Sequence, residues 1–165
     1  MKWNKNTDLI VKKANARMEL LRKISNFGAS LDELKNIYIL FIRSHLEQSC
    51  TVWHSGLTEE NNEDLERVQK SALKIILTNS YKDYENALKI LQLDSLKDRR
   101  KMLCHEFSKK CLKNQKMKHL FPKFKKSHQM STRHQEEFFV NHANTERMKN
   151  SPIIYMQRLL NEKAV

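Results

Sequence analysis

The chain has little of what tight turns require, with only 2 glycines and 2 prolines in 165 residues. β-branched runs are short as well, so neither a hairpin-built sheet nor a glycine-rich phosphate loop has the residues it needs. Three cysteines, Cys50, Cys104 and Cys111, are an odd number and cannot all pair within the chain. The opening Met1-Lys2-Trp3-Asn4-Lys5 lacks the apolar core of a signal peptide, and a reducing, intracellular compartment is the expectation. No uninterrupted apolar run approaches the roughly 20 residues of a membrane span, which excludes an integral membrane protein of the helical kind.

Positive charge is abundant instead. Lys and Arg number 31 against 19 acids, for a net charge of +12 and a pI near 9.7, so a polyanion is the natural partner. The excess is concentrated: residues 94–126 hold 12 basic and 3 acidic side chains.

The apolar pattern is helical. A first helix is predicted from a cap at Asn6 or Thr7, with Asp8 in its first turn and Ile10, Ala14, Met18, Leu21 and Ile24 on one face, stopped at Gly28. Ser30-Leu31-Asp32-Glu33 is a capping box, in which the hydroxyl and the carboxylate each take a free backbone N–H. It opens a second helix whose stripe, Leu31, Leu34, Tyr38, Phe41 and His45 with Ile37, Ile42 and Leu46 beside it, is wide enough to be buried on more than one side. After Gly56, Thr58 caps a third helix with Glu59 and Glu60 near its positive end and Leu65, Val68, Ala72, Ile75 and Ile76 inward. A short helix begins near Asp83, with Tyr84, Leu88 and Leu91 inward. Ser95 to Asp98 caps a fifth helix running through Leu103, Phe107 and Cys111. Periodicity fades after Asn114, and residues 114–150 read as an extended or partly disordered arm. A last amphipathic helix follows Pro152, over about 153–161. The expected fold is therefore all-α: a compact bundle of about five helices over residues 1–113, then a basic arm over 114–165 carrying a short terminal helix.

Three stretches resemble, in order, the region after the palm in jockey-type non-LTR retrotransposon reverse transcriptases. The first is Ile42-Arg43-Ser44-His45-Leu46-Glu47 with Val52-Trp53 and the run Leu65-Glu66-Arg67-Val68-Gln69-Lys70-Ser71-Ala72-Leu73-Lys74-Ile75-Ile76. The second is Tyr84-Glu85-Asn86-Ala87-Leu88 through Leu93, Ser95-Leu96 and Asp98-Arg99-Arg100. The third is Asn144-Thr145-Glu146-Arg147, Lys149-Asn150-Ser151-Pro152 and Arg158-Leu159-Leu160-Asn161. Gln48 and Ser49 depart from the family's Tyr and small residue, and Thr51 stands where a Pro precedes Val-Trp. The resemblance implies a thumb and post-thumb piece of an RNA-directed DNA polymerase. The reaction itself would need paired aspartates holding two Mg²⁺, and the sequence has no Asp-Asp pair, so no catalysis is expected. Residues 11–53 also resemble the helical segment known as the N-terminal domain of AlkB-homologue tRNA-modifying proteins. That oxygenase needs a His-x-Asp iron motif, and none occurs.

The candidate site is the basic cluster Arg99, Arg100, Lys101, Lys109, Lys110, Lys113, Lys116, Lys118, Lys123, Lys125 and Lys126, in which Lys109, Lys113 and Lys116 share a face if the helix persists. Such a ridge displaces counterions from a phosphate backbone, and the interleaved His119, Phe121 and Phe124 could stack on unpaired bases. A solvated face would carry the same lysines. Arg67, Lys70 and Lys74 repeat at three and four residues, where backbone contact and ion pairs with Glu63 and Glu66 are equal readings. Tyr38, Phe41 and Trp53 read as core, and His45 as a core histidine. Cys104 and Cys111, seven apart, do not match zinc-ligand spacing, so neither metal nor other cofactor is expected. The expected partners are RNA, DNA or an RNA–DNA hybrid, with the palm of a related reverse transcriptase as a further one, and neither a membrane nor a small-molecule substrate. The rival reading is a helical protein-interaction module whose apolar faces packed on a missing palm.

Overall fold

The chain opens on a helix longer than its apolar pattern alone dictates. In the computed structural model, which describes residues 3–123 and 137–162, α1 runs Asn4–Asn26. Its cap is Trp3, not Asn6 or Thr7: Thr7 lies buried inside the first turns, its hydroxyl and its N–H both donated to the Trp3 carbonyl. Ala14, Met18 and Leu21 are buried as expected, and Gly28 ends the helix at φ +81°, a conformation that costs glycine nothing.

Ser30 and Glu33 form the full capping box ahead of α2 (Leu31–Ile37), and these hydrogen bonds hold the Glu33 carboxyl below its usual range. The next segment, Tyr38–Arg43, winds as a π-helix before α3 (Ser44–Glu47). The buried residues are Leu34, Tyr38, Ile42 and Leu46, one every fourth position. An α-helix advances about 100° per residue, so a strict fourth-residue repeat would drift about 40° per step off the core face. The wider i→i+5 turns hold it there. Phe41, expected on the buried stripe, is consequently exposed beside Leu40. Deleting Leu40 would turn the series into residues 34, 38, 41 and 45 of an unbroken α-helix. The shortened chain is expected to keep its helicity and melt cooperatively by circular dichroism. Loss of the fold would refute the π turn as the reason for the spacing.

After α4 (Cys50–Trp53) and a 3₁₀ turn at His54–Gly56, Thr58 caps α5 (Glu59–Leu77) by accepting the Asn61 N–H. Leu65, Val68, Ala72, Leu73, Ile76 and Leu77 are buried along it, and α1 packs against α5, the π segment and α3. Thr78 ends α5 at φ +42°, ψ −107°, where a β-branched residue is strained. Thr78→Gly is expected to raise stability by about 1 kcal/mol in urea unfolding. Asp83 caps α6 (Tyr84–Leu91), which Gln92 closes in a left-handed conformation. Ser95 and Asp98 then bond reciprocally at the start of α7 (Leu96–Lys113). No strand occurs among the described residues, and the fold is all-α.

The described residues divide into two units, and the division along the chain falls within α7, between Arg100 and Lys101. The first takes in the chain up to Cys50 and Leu57–Arg100; the second takes in Thr51–Gly56 and the described residues from Lys101 onward. The reason lies in where the second half of α7 buries itself. Cys104 and Cys111 share a core with Phe121, Phe138, Met156 and Leu159, so much of the expected arm is folded. Two side-chain amides on α9 (Pro152–Asn161) hold its extended segments. Asn161 accepts the Phe138 N–H (2.9 Å) and donates to the Phe138 carbonyl (2.8 Å). Gln157, fully buried, accepts the Asn141 N–H (2.9 Å) and donates to the Leu120 carbonyl (2.7 Å). These amides stand in for a neighbouring strand. Thr145 caps a one-turn helix, α8 (Glu146–Lys149), just before.

Candidate nucleic-acid interface

The inward face of α7 decides which cations are available. It is Leu96, Arg100, Cys104, Ser108 and Cys111, all buried, while Phe107, expected inside, is exposed. Arg100 therefore leaves the candidate site: it has no exposed surface and donates to Asn62 Oδ1 at 2.9 Å. Arg99 is also engaged, its Nε 3.1 Å from Glu47, which Arg43 approaches from the next turn of its own helix at 3.4 Å. Lys101 pairs with Glu162 at 2.7 Å.

The remaining lysines differ. Lys109, Lys110 and Lys113 line the exposed side of the last turns of α7, and Lys116 and Lys118 follow in the turn beyond. Among the described residues, no carboxylate pairs with any of these five. Lys116 does not extend the helical ridge, because α7 stops at Lys113, where Asn114 Oδ1 accepts the Lys116 N–H at 2.9 Å. The continuous face of Lys109, Lys113 and Lys116 is thus two helical lysines and one on the following turn.

Lys123 is bound to Glu137 and lies 5.4 Å from the Phe138 ring centroid. Phe121 is buried in the second unit's core and cannot stack on a base, whereas His119 is exposed. Lys125, Lys126 and Phe124 lie outside the described residues.

On α5 the basic repeat is exposed but occupied in a way the sequence reading missed. Arg67 pairs with Asp64 at 2.8 Å, not with Glu63 or Glu66. Lys70 sits 5.1 Å above the Tyr84 ring and Lys74 5.5 Å above Tyr81. Glu66 accepts the Tyr84 hydroxyl and the Lys97 N–H. The two tyrosines flanking Asp83 were the signal, since a cation finds an aromatic face as readily as a surface carboxylate.

Tyr38 and Trp53 are core residues. His45 is half-buried, and burial, with Arg17 and Lys13 close by, keeps its ring below the usual imidazole range. His54, in the second unit, lies edge-on to Tyr155, whose hydroxyl is 3.2 Å from Nε2. All three cysteines are buried thiols, and burial pushes the Cys111 thiol up, against the thiolate. Among the described residues, no three His, Cys, Asp or Glu side chains are grouped to hold a metal. The thiols should react with an aromatic disulfide reagent orders of magnitude more slowly in the native protein than in urea. Fast native reaction of Cys104 or Cys111 would contradict their placement. No helix among the described residues is long and apolar enough to cross a membrane.

No protein-family model matches the chain, and neither a curated protein nor a solved structure does.

Proposed function

We propose that this chain is a non-catalytic piece of a reverse-transcriptase-like polymerase that grips the backbone of RNA, DNA or their hybrid with little sequence preference. The observation that carries the reading is the set of five exposed lysines, Lys109, Lys110, Lys113, Lys116 and Lys118, with Glu106 the one acid close to them in sequence. Between Glu106 and Glu136 the chain contains no carboxylate side chain and nine basic ones. A face kept soluble by mixed charge needs no such purge, whereas a phosphate track is weakened by every acid beside it. The ordered likeness of three stretches to the post-palm region of non-LTR reverse transcriptases supports the same reading, and the missing Asp-Asp pair argues against polymerisation by the chain itself.

A single-stranded or hybrid oligonucleotide is expected to bind, with log K falling against log salt by about 0.7 to 0.9 per phosphate contacted. Changing Lys109, Lys113 and Lys116 together to Gln should leave circular dichroism unchanged, lower affinity, and flatten that slope by about two to three units. An unchanged slope in the folded triple variant would remove these lysines from the interface. Negligible binding by the parent protein at low salt would remove the reading altogether. The rival, an apolar protein-binding module, has the exposed Leu40 and Phe41 in its favour. It predicts association that persists or strengthens as salt rises.

A further inference from the structure

One helix carries its apolar residues on two sides. The inner stripe of α1 is Ala14, Met18 and Leu21; on the outer side Leu9 is 58% exposed, Leu20 43% and Phe27, the C-cap residue, 88%. At about 100° per residue, Leu9, Ala16, Leu20 and Phe27 fall within about 20° of a single line along the helix. Their spacing of seven, four and seven is that of the two core positions of a heptad, with Lys13 and Lys23 at the core positions between. Lys5 and Lys12 flank the line, and all four lysines are exposed. The nearest carboxylates, Asp8 and Glu19, stand about 80° to 100° round the helix, and Glu19 is turned to Arg22 at 3.4 Å.

We infer that this outer face of α1 is a docking seam for an acidic amphipathic helix, one that presents apolar residues at heptad spacing and Glu or Asp opposite Lys12, Lys13 and Lys23. Charge selects the occupant. A second copy of α1 laid antiparallel would set Leu9 against Phe27, but it would also set Lys13 against Lys23 twice over, with no acid in the seam to relieve them. A bilayer calls for a contiguous apolar face with cations at its edges, whereas here lysines interrupt the apolar line once per heptad. A phosphate backbone would use the lysines and leave Leu9, Leu20 and Phe27 without a role. An acidic helix uses both, its leucines entering between the apolar residues and its carboxylates meeting the ammonium groups. The seam is independent of the lysines that close α7, so either can fail without the other.

The test takes the full chain and a fluorescent three-heptad peptide with Leu at both core positions and Glu at the positions flanking them. That peptide is held apart from itself by like charge. Addition of the protein is expected to raise its anisotropy and its helicity, with binding that weakens as salt rises. Two triple variants, Leu9→Gln/Leu20→Gln/Phe27→Gln and Lys12→Gln/Lys13→Gln/Lys23→Gln, should each weaken it at least tenfold. Both should retain the parent circular dichroism and oligonucleotide affinity. The inference is overturned if the acidic peptide does not bind, if its lysine counterpart binds as well, or if the apolar variant binds undiminished. It is also overturned if the two variants lose affinity instead for phosphatidylserine vesicles or for the oligonucleotide, which would assign the face to lipid or to nucleic acid.

Discussion

Truncating Arg100 to Ala is expected to cost about 3–5 kcal/mol, because it empties a fully enclosed space and leaves the buried Asn62 Oδ1 without its donor. Against a total of about 5–15 kcal/mol for a domain of ordinary stability, that loss is a large fraction and should lower the urea midpoint well below the parent's. Arg100→Met refills most of the volume and loses mainly the hydrogen bond, so its deficit should be about 1–3 kcal/mol. Lys101→Gln, one residue further on, removes only a half-exposed pair with Glu162 and should change stability by less than about 1 kcal/mol. Urea unfolding of the three variants measures all of this. Oligonucleotide binding of the folded Arg100→Met chain, with an unchanged salt slope, checks that the residue serves the interior and not the phosphate surface. If Arg100→Ala proves as stable as the parent, the buried placement of Arg100 is wrong.

Neighbours in sequence thus have opposite roles, and composition cannot separate them. Arg99, Arg100 and Lys101 read as one cationic triplet. Their separation depends on α7 burying Leu96, Arg100, Cys104 and Ser108, a stripe that includes an Arg and a Ser and so gives no apolar signal. Where hydrogen-bonding chemistry is local, the sequence was readable: Ser30 with Glu33, Thr58, Asp83 and Ser95 with Asp98 all cap the helices they were expected to cap. It was opaque where geometry is set at a distance. The π segment rotates Phe41 outward although its spacing from Tyr38 is helical. Gln92 and Thr78 end helices in conformations that suggest glycine. Past Lys113, the segments at Leu120 and at Phe138 to Asn141 are held because Gln157 and Asn161, tens of positions away, supply the hydrogen bonds that a strand partner would. Of the basic candidates, the lysines from 109 to 118 kept the exposure assigned to them, while Arg99, Lys101, Lys123 and Arg67 spend their charge on carboxylates within the chain.

Gln69 to Leu should be among the most damaging single substitutions in the first unit, although it exchanges a polar residue for an apolar one of similar size. Gln69 is buried, and its amide meets three partners. Its Oε1 accepts the Tyr38 hydroxyl, while its Nε2 donates to the Tyr84 hydroxyl at 2.8 Å and to the Asp94 carbonyl at 2.9 Å. Tyr84 in turn donates to Glu66, whose other oxygen accepts the Lys97 N–H, so the amide joins the π segment, α5, α6 and the start of α7. Burial pushes the Tyr38 hydroxyl above its ordinary value, with the carboxylates of Glu47 and Glu66 adding to the rise and the cations of Arg43 and Arg100 opposing it. Tyr38 therefore stays a donor across the working pH range and cannot shed the proton that would be left unpaired. Leucine in place of Gln69 strands that hydroxyl and the Asp94 carbonyl, and at about 1–3 kcal/mol for each unmet buried group the loss should be about 2–6 kcal/mol. The diagnostic experiment is a double-mutant cycle with Tyr38→Phe, which removes the stranded hydroxyl. If the two groups are partners, Tyr38→Phe should cost about 1 kcal/mol or more in the parent and be neutral or stabilising in the Gln69→Leu chain. Additive losses in urea unfolding would mean that Tyr38 and Gln69 do not meet in the folded protein.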